Sequence, residues 1–305
     1  MASKHHLQFD FNKWTSLFPI ETFEKTDGPR QFGTTKPGDP LDLWKVGGTP
    51  ITSPADLCQI ELVRHRVGKK HDLGDPVPVD IILWHTGAPT KPYLTKLGGV
   101  PHREAAKSWP TDSSGEAYTF VAQFCFLDSK DITQGRLPGD VMLVFFKDAQ
   151  SCFSGRAEVQ IEWADQDLAQ PLLAKDCPKP RFAVPELSAV LYRCNEYPDS
   201  GDVFEQEGHS QYYLFATTQS TKIGRETFFI QNDPRRDGKE LLCVLNSLMP
   251  QKKWPFVDLP ELSADAREPN THYEWGKYRM MFGDVGCMYF LIDENGNVTC
   301  PADSY

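Results

Sequence analysis

The stretch Phe282-Gly283-Asp284-Val285-Gly286-Cys287-Met288-Tyr289-Phe290-Leu291-Ile292 decides the fold. It opens with small and polar residues and continues as an unbroken apolar run of residues that favour strands. This pattern predicts a tight turn that leads into a fully buried strand. A similar stretch occurs earlier, where Pro138-Gly139-Asp140 precedes the apolar run Val141–Phe146. We therefore expect two buried strands, each beginning at a Gly-Asp turn.

Two further pairs of short segments recur in the same order along the chain. Thr95-Lys96-Leu97-Gly98 matches Thr221-Lys222-Ile223-Gly224 almost letter for letter. Counting eight residues on from Gly115 reaches Gln123, and counting eight residues on from Gly238 reaches Asn246. Three anchors in one order predict a duplicated β-rich unit. The alternative is coincidence among short strings.

The predicted fold class is α+β and strand-dominated, with two similar halves. A proline-rich connector at 177–185 separates them, so the first half covers about 76–176 and the second about 186–305. The short sequence Asn295-Gly296 predicts a tight hairpin near the C-terminus. Strands are expected at 77–84, 119–127, 141–146, 157–163, 189–193, 212–217, 241–245 and 287–292.

Residues 1–75 contain recurrent proline and glycine and predict an irregular N-terminal extension. Within it, Ser53-Pro54 is typical of a helix start, because serine caps a helix and proline suits its first position. The following residues 59–64 partly alternate between apolar and polar. Helix and strand therefore both remain open for this segment.

Composition and charge exclude several classes of partner. The net charge of −10 over 305 residues argues against nucleic acid and against an anionic membrane, since both attract a basic surface. Eight cysteines without a Cys-x-x-Cys pair, together with the lack of an apolar export segment, indicate a reducing compartment. No apolar run has the length of a membrane span. We predict a soluble cytoplasmic protein.

Several short motifs in both halves are typical of one protein family. In the first half they are Gly98-Gly99-Val100-Pro101, Trp109-Pro110, Phe120-Val121-Ala122-Gln123 and the segment from Leu137-Pro138-Gly139 to Phe145-Phe146; in the second they are Phe229-Ile230-Gln231-Asn232-Asp233 and Phe282-Gly283-Asp284. These motifs resemble the YwqG-like family, a bacterial domain of unknown function also labelled DUF1963. The resemblance implies a strand-dominated α+β fold of two similar halves and no established activity.

The resemblance covers roughly 96–292, and two positions depart from the family pattern. Phe282 stands where the family usually has tryptophan, and Asn246 stands where it often has glutamine. These departures indicate a distant member of the family.

Five polar residues within or beside apolar segments are the candidates for a ligand site: Gln123, Asp140, Gln231, Asn246 and Asp284. Asp140 and Asp284 would face one another if the halves are related by a twofold axis, as a paired acid and base requires. The simpler interpretation is an aspartate that hydrogen-bonds the backbone of its own turn. The amides either line a pocket or tie a strand to a neighbouring loop.

Catalytic and metal-binding motifs are missing from the sequence. No histidines have the spacing of a zinc-binding helix, and no Gly-x-Ser-x-Gly or phosphate-binding loop occurs. His85 and His102 are possible catalytic bases, although packing roles are the more common use of such residues. We therefore predict no metal and no cofactor, and we assign no catalytic residue.

Four aromatic residues in expected loops, Trp254, Phe256, Tyr273 and Trp275, are candidate anchors for a protein partner. The alternative is that they cover the sheet. The leading hypothesis is a non-enzymatic binding or accessory protein that captures a basic partner, with an immunity-like role as one form of it. The first alternative is an enzyme or small-molecule binder with a pocket between the halves. A structural subunit whose first 75 residues wrap a neighbour is a third hypothesis.

Overall fold

The chain folds around one large curled sheet. A computed structural model of the protein describes residues 6–8, 54–134, 137–149, 158–207, 216–248, 256–258 and 279–304. In these ranges thirteen strands belong to a single sheet, and most of its neighbouring strands are antiparallel. Helices are few, so the predicted strand-dominated α+β class is confirmed.

The bounds of the elements agree with most of the predicted ones. The strands are β1 (His6–Gln8), β2 (Val77–Thr86), β3 (Lys96–Leu97), β4 (Thr119–Cys125), β5 (Val141–Phe146), β6 (Val159–Ala164), β7 (Leu187–Glu196), β8 (Lys222–Ile223), β9 (Glu240–Asn246), β10 (Phe256–Asp258), β11 (Cys287–Ile292), β12 (Val298–Thr299) and β13 (Ala302–Asp303). The α-helices are α1 (Pro54–His71), α2 (Lys130–Thr133) and α3 (Gly201–Gln206). Most of the strand expected at 212–217 lies outside the described residues.

The strand order is β12-β11-β9-β8-β2-β7-β3-β4-β5-β6. Strands β2 and β7 form the centre, with ten residue pairs and Leu83 opposite Val190. Strand β8 flanks β2 as β3 flanks β7. Strand β10 pairs with β2 in parallel, as β1 pairs with β7. Each of these pairings therefore has a counterpart on the other side of the central pair.

Hydrogen bonds to two threonines show which positions correspond on the two sides. The Thr95 Oγ1 accepts a hydrogen bond from the backbone N of Cys125 at 2.9 Å. The Thr221 Oγ1 accepts one from the backbone N of Asn246 at 3.1 Å. Asn246 thus corresponds to Cys125 and not to Gln123, so the match found by counting from the glycines was wrong. The reason is that the turn before β9 is two residues shorter than the turn before β4.

The Gly-Asp turns are also offset from one another. The backbone N of Phe126 donates to the carbonyl of Asp140 at 2.9 Å, and the backbone N of Ser247 donates to the carbonyl of Gly286 at 3.0 Å. Asp140 therefore corresponds to Gly286, two residues after Asp284. The expected equivalence of the two aspartates was wrong, because the turn that leads into β11 is longer than the one that leads into β5.

Both faces of the central strand β2 are buried, which explains its nearly continuous apolar sequence. Ile82 and Trp84 point into the core inside the curl, whereas Ile81 and Leu83 point to a second core on the other face. Successive side chains alternate between the faces of a strand, so two cores favour apolar residues at most positions, and the buried Asp80 pairs with Arg193.

The sheet has two outer parts, β3–β6 beside β7 and β8, β9, β11 and β12 beside β2, which we call its wings. The curl brings these two wings into contact. The ring centroids of Phe124 and Phe290 lie 5.6 Å apart, and those of Phe146 and Phe282 lie 6.2 Å apart. Each pair joins an element from one wing to an element from the other, and both belong to the same core. Offset aromatic pairs at such distances add to the burial of their apolar area.

Helix α1 covers residues 54–71 and decides between the helix and the strand that remained open for residues 59–64. Ile60, Val63 and Val67 recur at helical spacing and pack into the second core. The partial alternation of residues 59–64 concealed this face. In the described ranges, no helix combines the length and the apolar character that crossing a membrane requires.

A network of buried charges connects α1 to the sheet. The Arg64 Nη1 lies 3.1 Å from the Glu61 Oε1, and its Nη2 lies 3.9 Å from the Glu196 Oε1. The Lys222 Nζ lies 2.8 Å from the Glu196 Oε2. These four side chains are at most 6% exposed. Burial raises the pKa of Glu61 to about 7, against the opposing effect of Arg64.

The substitution Glu196→Ala should lower the free energy of unfolding by about 3–5 kcal/mol, because it leaves the charges of Lys222 and Arg64 buried without this partner. Urea denaturation followed by circular dichroism measures the loss. The control is Glu240→Ala, which removes the exposed pair with Arg225 at 2.7 Å and should cost less than about 1 kcal/mol. Equal losses for the two variants would contradict the role of the buried network.

Candidate functional site

An open cleft of about 910 Å³ lies where β2 ends, beside β3 and the start of β7. It is lined by residues from three segments, 86–102, 171–174 and 184–187. Ligand pockets for small molecules commonly have volumes of about 300–1,000 Å³. The cleft therefore has the size of a small-molecule site.

Most of the lining is apolar, and a few polar groups converge on it. The polar and charged residues with long side chains are Lys96, His102 and Glu186. The apolar ones include Leu97, Val100, Pro101, Pro171, Leu172, Val184 and Leu187. An apolar wall with a few oriented polar groups is the usual composition of a ligand site.

Lys96 is buried although it carries a charge, with only 6% of the residue exposed. Its Nζ donates to the carbonyl of Pro92 at 3.3 Å and to the carbonyl of Val100. In the described part of the chain, no carboxylate lies within 4.0 Å of this nitrogen. Burial lowers the pKa of Lys96 to about 8, with Cys177 and Glu186 acting in the opposite direction. The ammonium form therefore predominates at pH 7.

His102 has one ring nitrogen occupied and one without a partner. Its Nε2 lies 3.0 Å from the carbonyl oxygen of Asp165 and 3.1 Å from that of Gln166. Carbonyl oxygens only accept hydrogen bonds, so Nε2 carries the proton. The Nδ1 is buried and has no hydrogen-bond partner among the described residues. Burial lowers the pKa of His102, which favours the neutral ring with a bare Nδ1 acceptor.

Gln123 supports the cleft from behind without lining it. Its Oε1 accepts a hydrogen bond from the backbone N of His102 at 3.0 Å. Its Nε2 donates to the carbonyls of Pro92 at 2.8 Å and Leu94 at 2.7 Å. The side chain is fully buried. It thus ties β4 to the segment 92–102, which carries Lys96 and His102. This is one of the two roles expected for the amides.

The two aspartates predicted as a pair lie in turns. The Asp140 Oδ2 accepts a hydrogen bond from the backbone N of Gln166 at 3.0 Å, and its Oδ1 lies 3.5 Å from the Lys130 Nζ. Asp284 is exposed in the turn before β11. Neither residue lines the cleft.

The remaining predicted ligand residues lie on the other wing. Asn246 ends β9 and is half-buried. Gln231 is exposed, and its Nε2 donates to the carbonyl of Ser304 at 2.9 Å. Neither lines the cleft. Of the five predicted residues, the cleft therefore involves Gln123 alone, in a supporting position.

The predicted partner anchors fall mostly outside the part that the structure describes. Three of the four anchors lie outside the described residues: Trp254, Tyr273 and Trp275. Phe256 begins β10 and pairs with Trp84 of β2. Its expected position in a loop was wrong, because the backbone of this segment adds a parallel strand to the sheet.

In the described ranges, no group of three or more His, Cys, Asp and Glu side chains is arranged to hold a metal ion.

The model of the family described as "Domain of unknown function (DUF1963)" matches residues 95–297. The chain belongs to the DUF1963 family. No curated protein matches the chain. The matched range of this DUF1963 protein starts at Thr95 and includes most of the cleft lining.

Sequence reasoning did not assign Lys96 a role in this DUF1963 protein, and it favoured a packing role for His102. A signal for the lysine was present, since the repeated segments both carry a lysine before an apolar residue, at positions 96 and 222. A lysine inside an apolar strand is unusual because burial of its charge is costly. The bare Nδ1 of His102 leaves no trace in the sequence, because the carbonyls that hold its Nε2 come from a distant loop.

The substitution Gln123→Leu should lower the free energy of unfolding by roughly 3 kcal/mol, because it leaves the buried backbone N–H of His102 and the buried carbonyl of Leu94 without their side-chain partner. Chemical denaturation of the purified DUF1963 protein measures this loss. The matched control is Gln231→Leu at the exposed amide, which should change stability by less than about 0.5 kcal/mol. A Gln123→Leu protein as stable as this control would contradict the supporting role of Gln123.

Proposed function

We propose that this DUF1963 protein is a small-molecule-binding protein that takes its ligand into the cleft beside Lys96 and His102. The observation that carries the proposal is the buried Nδ1 of His102, which has no partner in the described part of the chain and belongs to a residue that lines the cleft. An unpaired buried acceptor costs about 1–3 kcal/mol. A ligand that donates a hydrogen bond to this nitrogen offsets that cost.

The volume and the lining of the cleft support the same proposal. Its walls supply apolar area for binding, and Lys96 and His102 supply orientation. The cleft belongs mainly to the first half and the start of β7.

A non-enzymatic protein-binding or accessory role, including an immunity-like one, is the second candidate. It is supported by the net charge of −10, which favours basic partners and fast, salt-sensitive association. Trp254, Tyr273 and Trp275 are the proposed anchors.

The protein-binding proposal has its own test. A pull-down from native lysate should recover basic proteins at low salt and lose them at high salt, because screening weakens the attraction between opposite charges. Recovery of no protein at low salt would count against this candidate.

We also infer that the halves at about 76–176 and 186–305 arose by duplication of one β unit, within a YwqG-like member of the family. The corresponding pairings around β2 and β7 support the duplication. The described cysteines are free thiols, and this supports a reducing compartment such as the cytoplasm.

The cleft proposal predicts that small molecules stabilise the protein. In a thermal-shift screen with neutral, acidic and basic compounds, at least one class should raise the melting temperature, because a ligand of the native state stabilises it by mass action. Ala174→Trp places a bulky ring at the cleft wall and should remove the effect.

The control is Leu173→Trp, which adds the same ring one residue away on an exposed side chain outside the lining. This variant should keep the full shift in melting temperature. A screen in which no compound raises the melting temperature, or in which the two variants respond alike, would overturn the proposed function.

A further inference from the structure

We propose that the cleft recognises a carboxylate, which forms an ion pair with the ammonium group of Lys96. This inference rests on the proposed ligand-binding function and names its ligand class. It follows from a comparison of Lys96 with Lys222, the lysine at the corresponding position on the other side of the sheet.

The two lysines occupy the same place in their strands. Lys96 pairs with Ser188 of β7, and Lys222 pairs with Ile81 of β2. Each follows a threonine whose hydroxyl accepts the hydrogen bond from the end of the neighbouring strand. Both lysines are buried, with 6% and 0% of the residue exposed. Their charged neighbours differ.

Lys222 has a carboxylate partner, and Lys96 has none among the residues that the structure describes. The Lys222 Nζ lies 2.8 Å from the Glu196 Oε2, and Glu196 is the last residue of β7. Ser188 and Ile81 are corresponding positions, because they pair with the two lysines. Counting eight residues on from each reaches Glu196 and Pro89, and Pro89 lies three residues past the end of β2. Pro89 lines the cleft. The cleft therefore opens at the place where the other side supplies a carboxylate.

Helix α1 explains why only one of the two places is open. Its Arg64 contacts the Cys194 Sγ at 3.7 Å and the Glu196 Oε1 at 3.9 Å. By the same count, Cys194 and Glu196 correspond to Gly87 and Pro89, which both line the cleft. The residues that α1 covers on β7 thus match residues that face the cleft after β2.

Lys96 is an exception among the buried basic side chains. The described part of the chain has four buried lysine and arginine side chains, and three of them, Arg64, Arg103 and Lys222, pair with a glutamate. A buried charge without a partner is unfavourable, so such charges are normally paired. A ligand carboxylate would give Lys96 what Glu196 gives Lys222.

The geometry of Lys96 leaves room for this partner. An ammonium group has three N–H donors, and the carbonyls of Pro92 and Val100 accept two hydrogen bonds from it. The charged or titratable groups near it are Glu186, Cys177 and His102. Glu186 is exposed and lies beyond ion-pairing distance. Because most of the lining is apolar, we expect a mainly apolar ligand body, with a hydrogen-bond donor for the Nδ1 of His102 as the proposed function requires.

Matched probes test the inference by isothermal titration calorimetry at pH 7. The probes are 4-phenylbutanoate, 4-phenylbutanamide and 4-phenylbutylamine, which share an apolar body and differ in the head group. The carboxylate should bind at least about tenfold more tightly than the amide, since charge-assisted hydrogen bonds are the stronger ones. The amine should bind most weakly, because it places a second positive charge beside Lys96.

Lys96→Met should reduce the preference for the carboxylate over the amide to less than about twofold, because methionine has no charge to pair. The matched control is Lys91→Met in the loop before β3, where the lysine is exposed and does not line the cleft. This control should keep the full preference. Loss of the preference in both variants would overturn the assignment to Lys96.

A pH series on the unaltered protein gives a second measurement that does not depend on the folding of a variant. Burial lowers the pKa of Lys96 to about 8, so the preference should be nearly constant at lower pH and should fall above about pH 8 until carboxylate and amide bind alike. Phenylbutanoate stays ionised in this range. The pKa of His102 is lowered by burial, so the ring stays neutral.

Three outcomes decide between this inference and the proposed function. Equal binding of carboxylate and amide, with Ala174→Trp blocking both, overturns the inference and leaves ligand binding in place. A preference for the carboxylate that Lys96→Met leaves unchanged also overturns it. If none of the three probes binds, the inference fails, and the thermal-shift screen then decides whether the cleft binds other compounds.

Discussion

The pairing of β2 with β7 is the constraint on which the rest of the structure depends. Both strands are ten residues long and pair along their whole length. Each then forms hydrogen bonds with a short strand on its outer side, β8 or β3, and the wings follow from there. A register slip of one residue would turn every side chain of β2 to the opposite core. The burial of both faces therefore specifies this register strongly.

Buried charge is the second organising feature, and it is treated differently on the two sides of the central pair. Beneath α1, Arg64 and Lys222 share the carboxylate of Glu196 in a closed network. On the other side, the partners of Lys96 in the described part of the chain are the backbone carbonyls of Pro92 and Val100. Such an asymmetry between otherwise corresponding positions suggests that one side has kept a structural role while the other faces a ligand. Stability and binding would then draw on the same chemistry, a carboxylate beside a buried ammonium.

Much of the fold could be predicted from local patterns. The run 141–146 predicted β5 with correct bounds, and Asn295-Gly296 predicted the hairpin of β11 and β12, because periodicity and turn chemistry are local properties. Helix α1 was left open, since its apolar face is interrupted by charged residues that find partners only in the tertiary structure. The match of Gln123 with Asn246 failed because turns of different length displace the copies, and counting along the chain cannot detect this.

The sequence by itself determined the strand-dominated class, the family and the repeat of Thr-Lys-apolar-Gly, because these depend on residue type and order. Only the tertiary structure decided that the Lys96 ammonium has no ion-pair partner among the described residues while that of Lys222 meets Glu196, and that His102 keeps a bare nitrogen there. The physical reason is that the pairing of a buried charge depends on atoms from distant segments. Two lysines with the same local sequence therefore acquire different roles, because β7 continues to Glu196 beside Lys222 whereas β2 ends before the corresponding residue Pro89.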